Sequence, residues 1–587
     1  MTNTDAKIVC TLGPASDDRE TLARLADAGM SVARLNASHG STADRADVID
    51  RVRAVDAERA PPVAVMLDLR GPEIRTAPLD EPIRLAEGST VRLVAGDTAT
   101  PEEVGLSHDV TTAEPGDRIL IDDGRIETRV EGVEGEAVLV RVESGGELGG
   151  RKGVNLPGIE LGLDTLTPPD RRELELAAEK GVDFVAASFV KDGTDVYEVS
   201  DALDELGADI PVVAKVERAA AVENLESIVD AAYGVMVARG DLGVECPLET
   251  VPMVQKRLIR LAQNAGVPVI TATEMLDSMV HAPRPTRAEA SDVANAVLDG
   301  TDAVMLSGET AVGDHPVRVV ETMARIVAEV ESSAEYAETV EQRVPTADEG
   351  SRTEALARSA RYLARDVGAT AVVAASESGY TARRTAKFRP GVPVVATTPT
   401  DRVCRQLALS WGVRPRRAEY GDGVEAVLDS SVRAALDADV AASGDTLVVL
   451  SGMMTDLEGS NTTNMLKVHV AAEAVANGRT VAGGQVAGPV AWTTDGDLST
   501  VPAGAVLVLP AEFEGEFTGD TGKIAAIVDA RPGMTGYPAL VARELGVPMV
   551  SGAPLPDRVA DGDTVTVYAD RGVVYEGDVI RGRGTSR

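Results

Sequence analysis

Pro211-Val-Val-Ala-Lys-Val-Glu217 is a short apolar run that ends in a lysine and a carboxylate two residues apart, and Val235-Met-Val-Ala-Arg-Gly-Asp241 is a second run that ends in an acid. Runs of this length without polar alternation read as strands covered on both faces, as in a parallel sheet. Parallel-strand enzymes keep their chemistry at strand C-termini, which is where Glu217 and Asp241 fall. Residues i and i+2 share a strand face, so Lys215 brings a positive charge beside Glu217 and a candidate metal site. Carboxylates, a cation and a lysine in one place point to phosphoryl transfer.

Six further segments have the same character: Lys7 to Gly13, Ser31 to Asn36, Val63 to Asp68, Val182 to Ser188, Val267 to Thr273 and Ala303 to Ser307. Eight strands close a parallel barrel, and helical patterns such as Asp18 to Ala28, stopped by Gly29, separate most of them. The expected fold class is α/β, a (β/α)8 TIM barrel over residues 1–76 and 156–335. Residues 77–155 break the rhythm with strand-like pieces such as Arg118 to Asp122 and Ala137 to Val142, and read as a small β-domain lid inserted at the active face. A polar stretch then leads into a doubly wound α/β domain over 345–473. Residues 474–587, rich in glycine and valine, form a fourth domain.

The chain has 587 residues, 57 of them basic and 94 acidic, for a formal net charge of -37. That charge repels phosphate backbones and excludes nucleic acid and anionic membranes as partners. Nine basic residues are lysine, at 7, 152, 180, 191, 215, 256, 387, 467 and 523. An acidic, lysine-poor composition resembles proteins of salt-accumulating halophiles, where a short Debye length screens self-repulsion; an acidic mesophilic enzyme is the plainer alternative. Cys10, Cys246 and Cys404 have no paired spacing, so neither disulfides nor zinc are expected. Without a leader-like N-terminus or a membrane-length apolar run, the expected location is cytoplasmic, and the matches Asn36-Ala-Ser38, Asn461-Thr-Thr463 and Arg239-Gly-Asp241 are accidental.

The blocks Lys7-Ile-Val-Cys-Thr-Leu-Gly-Pro14, Ala33-Arg-Leu-Asn-Ala-Ser-His-Gly40, Gly71-Pro-Glu-Ile-Arg75, Lys152-Gly-Val-Asn-Leu-Pro-Gly158, Met236-Val-Ala-Arg-Gly-Asp-Leu-Gly243 and Pro283-Arg-Pro-Thr-Arg-Ala-Glu289 resemble the pyruvate kinase family over residues 1 to about 473. The resemblance implies phosphoryl transfer from phosphoenolpyruvate to ADP in a homotetramer, with Mg²⁺ held by Glu217 and Asp241. It implies that Lys215 and Arg34 stabilise the phosphoryl oxygens, that Gly240, Asp241 and Thr273 bind the substrate carboxylate, and that Ser307 serves the proton route. For the nucleotide it points to Arg75, Lys152, His39 and Asp123. For K⁺ it points to Asn36, Ser38, Asp68 and the Leu69 carbonyl, with Glu73 at the position whose acid accompanies potassium dependence. Leu69-Arg70 departs from the Thr-Lys usual there.

Ser376-Glu-Ser-Gly-Tyr-Thr381 matches the family's effector-phosphate loop, although Glu377 sets an acid where fructose-bisphosphate-activated members carry a cation. Thr535 to Pro548, with Asp561 to Val567, resembles the swivelling mobile domain of phosphoenolpyruvate-utilising enzymes, and the phosphohistidine of that family falls at Tyr537. The histidines are 39, 108, 281, 315 and 469, so this domain is no histidine phosphocarrier and reads as a bracing element. The alternatives are a catalytically silent metabolite sensor with this fold, and a dikinase-type phosphoenolpyruvate synthase.

Overall fold

The computed structural model describes residues 4–159, 161–421, 423–442, 444–452, 463–472 and 474–580. Asn461 and Thr462, in one of the glycosylation-like matches, lie outside them. The eight expected strands form at Lys7–Thr11 (β1), Met30–Asn36 (β2), Ala64–Asp68 (β3), Phe184–Ala187 (β4), Val212–Val216 (β5), Gly234–Ala238 (β6), Val269–Ala272 (β7) and Ala303–Leu306 (β8). They close into one parallel barrel in chain order. The ladders of β4 to β8 each stop one residue short of the segment end read from sequence, at Ser188, Glu217, Arg239, Thr273 and Ser307. Those residues leave the ladder because their backbones turn into the loops of the barrel mouth.

Side-chain alternation divides each strand between two cores. Val9, Val32, Met66, Phe184, Val213, Met236 and Ile270 fill the barrel interior. Their strand neighbours, such as Ile8, Ala33, Leu67, Val185 and Val212, pack outward against the helices. Helix starts are fixed by side chains that satisfy otherwise orphaned backbone N–H groups. Asp18 accepts from the Thr21 N–H to begin Arg19–Ala28, and Gly29 ends it at φ 124°. Full capping boxes start three more: Ser41 with Asp44, Thr167 with Asp170, and Thr286 with Glu289. Asp170 also receives the N–H groups of Arg70 and Gly71, at 3.0 and 3.2 Å, and so ties a helix start to the loop after β3.

Between β3 and β4 the chain builds a seven-stranded sheet from segments between Ile74–Arg75 and Gly153–Asn155. It has its own core, including Val91, Leu93, Ile119, Ile121, Val138 and Val140.

The chain falls into two compact units, residues 1–358 with 376–389 and 396–417, and residues 359–375 with 390–395 and 418–587. In the second, Ala371–Ala375 pairs in parallel with Thr446–Ser451, which pairs antiparallel with Met465–Val470. Helix Val424–Asp437 lays Leu428, Val432 and Ala435 against Val373, Leu447 and Val449. The same unit holds an eight-stranded mixed sheet between Ala474–Asn477 and Val573–Glu576, with helix Tyr537–Leu545. Among the described residues no helix is long and apolar enough to cross a membrane.

Asp183, at the entry to β4, has a fully buried carboxylate that meets Arg53 at 2.7 Å and Arg405 at 2.9 Å and accepts the Val65 N–H at 2.7 Å. Truncating it leaves the Val65 N–H without its acceptor and takes the nearer carboxylate from two cations, Arg53 keeping the Gly181 carbonyl and Arg405 keeping Asp56 at 3.6 Å. Asp183→Ala should cost about 3–5 kcal/mol in denaturant unfolding; a loss under about 1 kcal/mol would show that the pairs contribute little.

Candidate active site

The strand phase that fills the barrel interior continues to the C-terminal mouth. Val9 leads to Thr11, Val32 to Arg34 and Asn36, Met66 to Asp68, Phe184 through Ala186 to Ser188, Val213 to Lys215 and Glu217, and Met305 to Ser307. All stand on the inward face by alternation alone. Apolar packing below therefore fixes the direction of every polar side chain above.

The centre is a buried ionic cluster. Arg34 donates from Nε to Asp68 Oδ2 at 2.6 Å and from a terminal nitrogen to Thr11 Oγ1 at 2.8 Å. Lys215 Nζ donates to Ser188 Oγ at 2.8 Å and lies 3.1 Å from Glu217 Oε2 and 3.5 Å from Asp68 Oδ1. Glu217 Oε1 accepts the Phe189 N–H at 2.6 Å. Burial disfavours each charge, and the neighbours decide the outcome. At Asp68 burial is outweighed by Arg34 and Lys215, and its pKa falls below the usual carboxylate value. At Lys215 burial is outweighed by Asp68, Glu217 and Asp241, and the ammonium is held more firmly than usual. At Glu217 burial wins over Lys215, with Asp241 adding repulsion, and the pKa rises to about 7. The ion pair and the raised acid are compatible, because Glu217 Oε2 is buried with no hydrogen bond despite its ion-pair distance to Lys215.

An orphaned buried carboxylate oxygen beside a second acid suits a hard divalent cation. Asp241 stands in the first turn of the short helix Arg239–Glu245, and its charge acts on Lys215, Glu217 and Asp123. Among the described residues no group of three or more acids, histidines or cysteines forms a metal cluster. Two carboxylates leave the other ligand positions for substrate oxygens and water, the usual arrangement for Mg²⁺. The residues present therefore fit that ion.

Thr273 sits just past β7 at φ 76°, an unusual conformation for a β-branched residue. Arg239 holds the loop by donating to the carbonyls of Ala272 and Thr273, at 3.1 and 2.8 Å, while pairing with Asp292 at 2.6 Å. Gly240 is pressed against this loop, where an added Cβ would lie 2.7 Å from Thr273 Cγ2. Thr273 caps no helix; the next helical turn starts after Leu276. Ser307 precedes the turn Gly308–Ala311 without a side-chain cap bond, and its N–H donates to Glu309 at 2.6 Å.

Of the four oxygen donors assigned to K⁺, those of Asn36, Asp68 and Leu69 are partly engaged. Asn36 Oδ1 accepts the Ser38 N–H at 3.0 Å, Asp68 meets Arg34, and the Leu69 carbonyl accepts from Ser188 Oγ at 2.7 Å. Every one keeps a further lone pair, so the donor set fits a monovalent cation. Glu73 pairs with Arg75 at 2.7 Å, and Arg75 also donates to the Arg151 carbonyl. Lys152 pairs with Asp122 at 2.8 Å, next to Asp123, whose pKa is raised by burial, Asp122 and Asp241. Arg75 and Gly153 are register partners, which gathers Arg75, Lys152 and Asp123 at one edge of the inserted sheet. His39 stays exposed on the loop after β2.

Sequence reasoning missed Thr11, Ser188, Phe189 and the clamp by Arg239. Strand phase would have flagged Thr11 and Ser188. Nothing local marks Phe189, which is at φ 59°, or the Arg239 pairing with Asp292, 53 positions away.

A closed parallel barrel with charged side chains converging at its C-terminal mouth defines the class of (β/α)8-barrel enzymes. Residues 3–320 match the family model for the pyruvate kinase barrel domain, 354–469 that for the pyruvate kinase alpha/beta domain, and 501–572 that for the mobile domain of PEP-utilising enzymes. Pyruvate kinase of Sporosarcina psychrophila is 39% identical over 97% of this chain and 98% of its own length. Those of Staphylococcus aureus (strain MRSA252) and Geobacillus stearothermophilus show the same identity and coverage. The chain belongs to the pyruvate kinase family.

Glu217 carries a sign-definite test. Its pKa is about 7 in the folded protein against 4.5 ordinarily, so the folded state keeps a proton that the unfolded chain releases. Its contribution to stability is full below pH 4.5 and is lost as pH rises to 7. Without metal, Glu217→Gln should gain roughly 2–3 kcal/mol on wild type between those limits in denaturant unfolding. Parallel stability profiles for the two proteins would contradict this.

Proposed function

We infer that the protein is a pyruvate kinase, moving the phosphoryl group of phosphoenolpyruvate onto ADP to give ATP and, after protonation of the enolate, pyruvate. The observation that carries this is the buried Arg34–Asp68–Lys215–Glu217 cluster at the barrel mouth of a chain whose relatives are named pyruvate kinase throughout their length. The bond from phosphorus to the enol oxygen breaks, a bond to a terminal ADP oxygen forms, and a proton is delivered to the enolate carbon.

Lys215 and Arg34 face the transferring phosphoryl and offset the charge that spreads over its oxygens. Gly240 and Thr273, with the N–H groups opening the turn at Asp241, bind the substrate carboxylate. Ser307 serves the proton route. Glu217 and Asp241 would hold Mg²⁺, which when bound would supply positive charge to offset that of the two anionic substrates. Asn36, Ser38, Asp68 and the Leu69 carbonyl hold K⁺. Arg75, Lys152, His39 and Asp123 receive the nucleotide, and closure of the inserted sheet excludes water. The domains are read as a barrel over 1–76 and 156–335, a lid over 77–155, an α/β domain over 345–473 and a mobile-type domain over 474–587. The assembly is a cytoplasmic homotetramer, and the acidic, lysine-poor composition supports a halophilic setting.

The last domain favours bracing over phosphate carriage. Tyr537 opens helix Tyr537–Leu545, packs on Phe517 with ring centroids 5.4 Å apart, and accepts the Phe517 N–H at 3.2 Å. That engaged phenol supports neither a phosphocarrier nor a dikinase.

A coupled assay with phosphoenolpyruvate, ADP, Mg²⁺ and high KCl should show pyruvate formation, and none would remove the reading. Lys215→Met should lower kcat by roughly 10³-fold or more with the fold retained, as loss of a transition-state donor does; unchanged turnover would reject its role. Replacing K⁺ by a large organic cation at equal ionic strength should depress activity markedly, and no change would reject the K⁺ assignment. Deleting residues 475–587 should leave the basal chemistry intact, and its loss with fold and assembly preserved would contradict a bracing role.

A further inference from the structure

Lys215 carries its charge on a long, rotatable stem whose ordering costs rotamer entropy. Two carboxylates attract it, at 3.1 and 3.5 Å, yet its one hydrogen bond among the described residues goes to neither. That bond goes to Ser188 Oγ at 2.8 Å.

We propose that Ser188 is the positioning residue for Lys215, a neutral acceptor that holds the ammonium toward the transferring phosphoryl group. The proposal rests on the role given to Lys215 above. Ser188 is 3% exposed and stands on the inward phase of β4, between β3 and β5, which carry Asp68 and Lys215. A hydroxyl has one proton to give. The Leu69 carbonyl takes it at 2.7 Å, with Asp68 Oδ1 a longer alternative at 3.3 Å, and the oxygen's lone pairs are left facing Lys215. The direction of the bond is thereby fixed.

Neutrality is the useful property. Glu217 and Asp68 already flank Lys215, and a third carboxylate at position 188 would offset more of its charge, whereas a serine oxygen orients the ammonium without adding a negative charge. The next residue completes the device. Phe189 is held at φ 59°, a costly conformation for a bulky side chain, and its N–H fixes Glu217 Oε1 at 2.6 Å. Gly71 makes room for both residues, since a Cβ there would lie 2.8 Å from Phe189 Cδ2 and 3.1 Å from Ser188 Cβ. One dipeptide thus orients the ammonium through a side chain and the acid through a backbone N–H.

The experiment measures kcat and KM for both substrates in Ser188→Ala, Ser188→Thr and Lys215→Met, and in the Ser188→Ala/Lys215→Met double variant, with melting curves for each. Ser188→Ala should lower kcat roughly 10- to 100-fold, as misplacement of a reacting group does, leave both KM values within about threefold, and melt close to wild type. Ser188→Thr, which keeps the hydroxyl, should recover most of the loss. In the Lys215→Met background, Ser188→Ala should have no further effect, because the group it positions is gone. Wild-type kcat in Ser188→Ala overturns the proposal, as does an equal fractional loss with and without Lys215. Full turnover in Lys215→Met would instead overturn the role of Lys215 itself, so the two failures are distinct.

Discussion

The barrel mouth depends on a local balance of charge out of water. Arg34 and Lys215 supply two positive charges, Asp68 and Glu217 two negative ones, and their side chains are between 1% and 12% exposed. Ions this buried are costly unless paired and hydrogen-bonded. Asp68 satisfies both conditions and binds Arg34 and Lys215 from opposite sides. Glu217 satisfies them on one oxygen only, and the deficit appears as its raised pKa. The cluster is complete at its base and incomplete at its rim, where an incoming cation would be most favourable.

Much of this was legible in the sequence, for a definite reason. Eight apolar runs ending in polar residues announce buried parallel strands, and local periodicity is enough to find them. Lys215 and Glu217 could be placed together because two residues along one strand share a face. Their strand ends were read one residue too long, because periodicity does not show where a backbone leaves its ladder to serve a side chain across the barrel. Phe189 illustrates the limit: its conformation follows from Glu217, a residue on another strand. The same holds for Thr273, whose backbone carbonyl is held by Arg239 and whose side chain presses on Gly240.

The terminal domain separates likeness of fold from likeness of chemistry. A mobile-domain family model covers residues 501–572, and Tyr537, where the resemblance to that family sets its phosphohistidine, has its hydroxyl tied to the Phe517 backbone. Phe513, Phe517 and Tyr537 make consecutive tilted ring contacts, which pack Tyr537 against the core of the domain. Fold-level likeness alone would suggest phosphate carriage there, and residues 474–587 contain no histidine to carry it.

The shared inward phase of the strands restricts how this site can change. Met66 and Asp68, Phe184 and Ser188, and Val213 and Lys215 are locked in pairs by the two-residue repeat of a strand. Inserting or deleting one residue between Val213 and Lys215 would put the two on opposite faces, so that either the barrel interior loses Val213 or the mouth loses Lys215. Such a frameshift in register would unfold the protein before it could yield an altered enzyme. A connecting loop has no such register to keep, and the large inserted sheet lies in one, between β3 and β4.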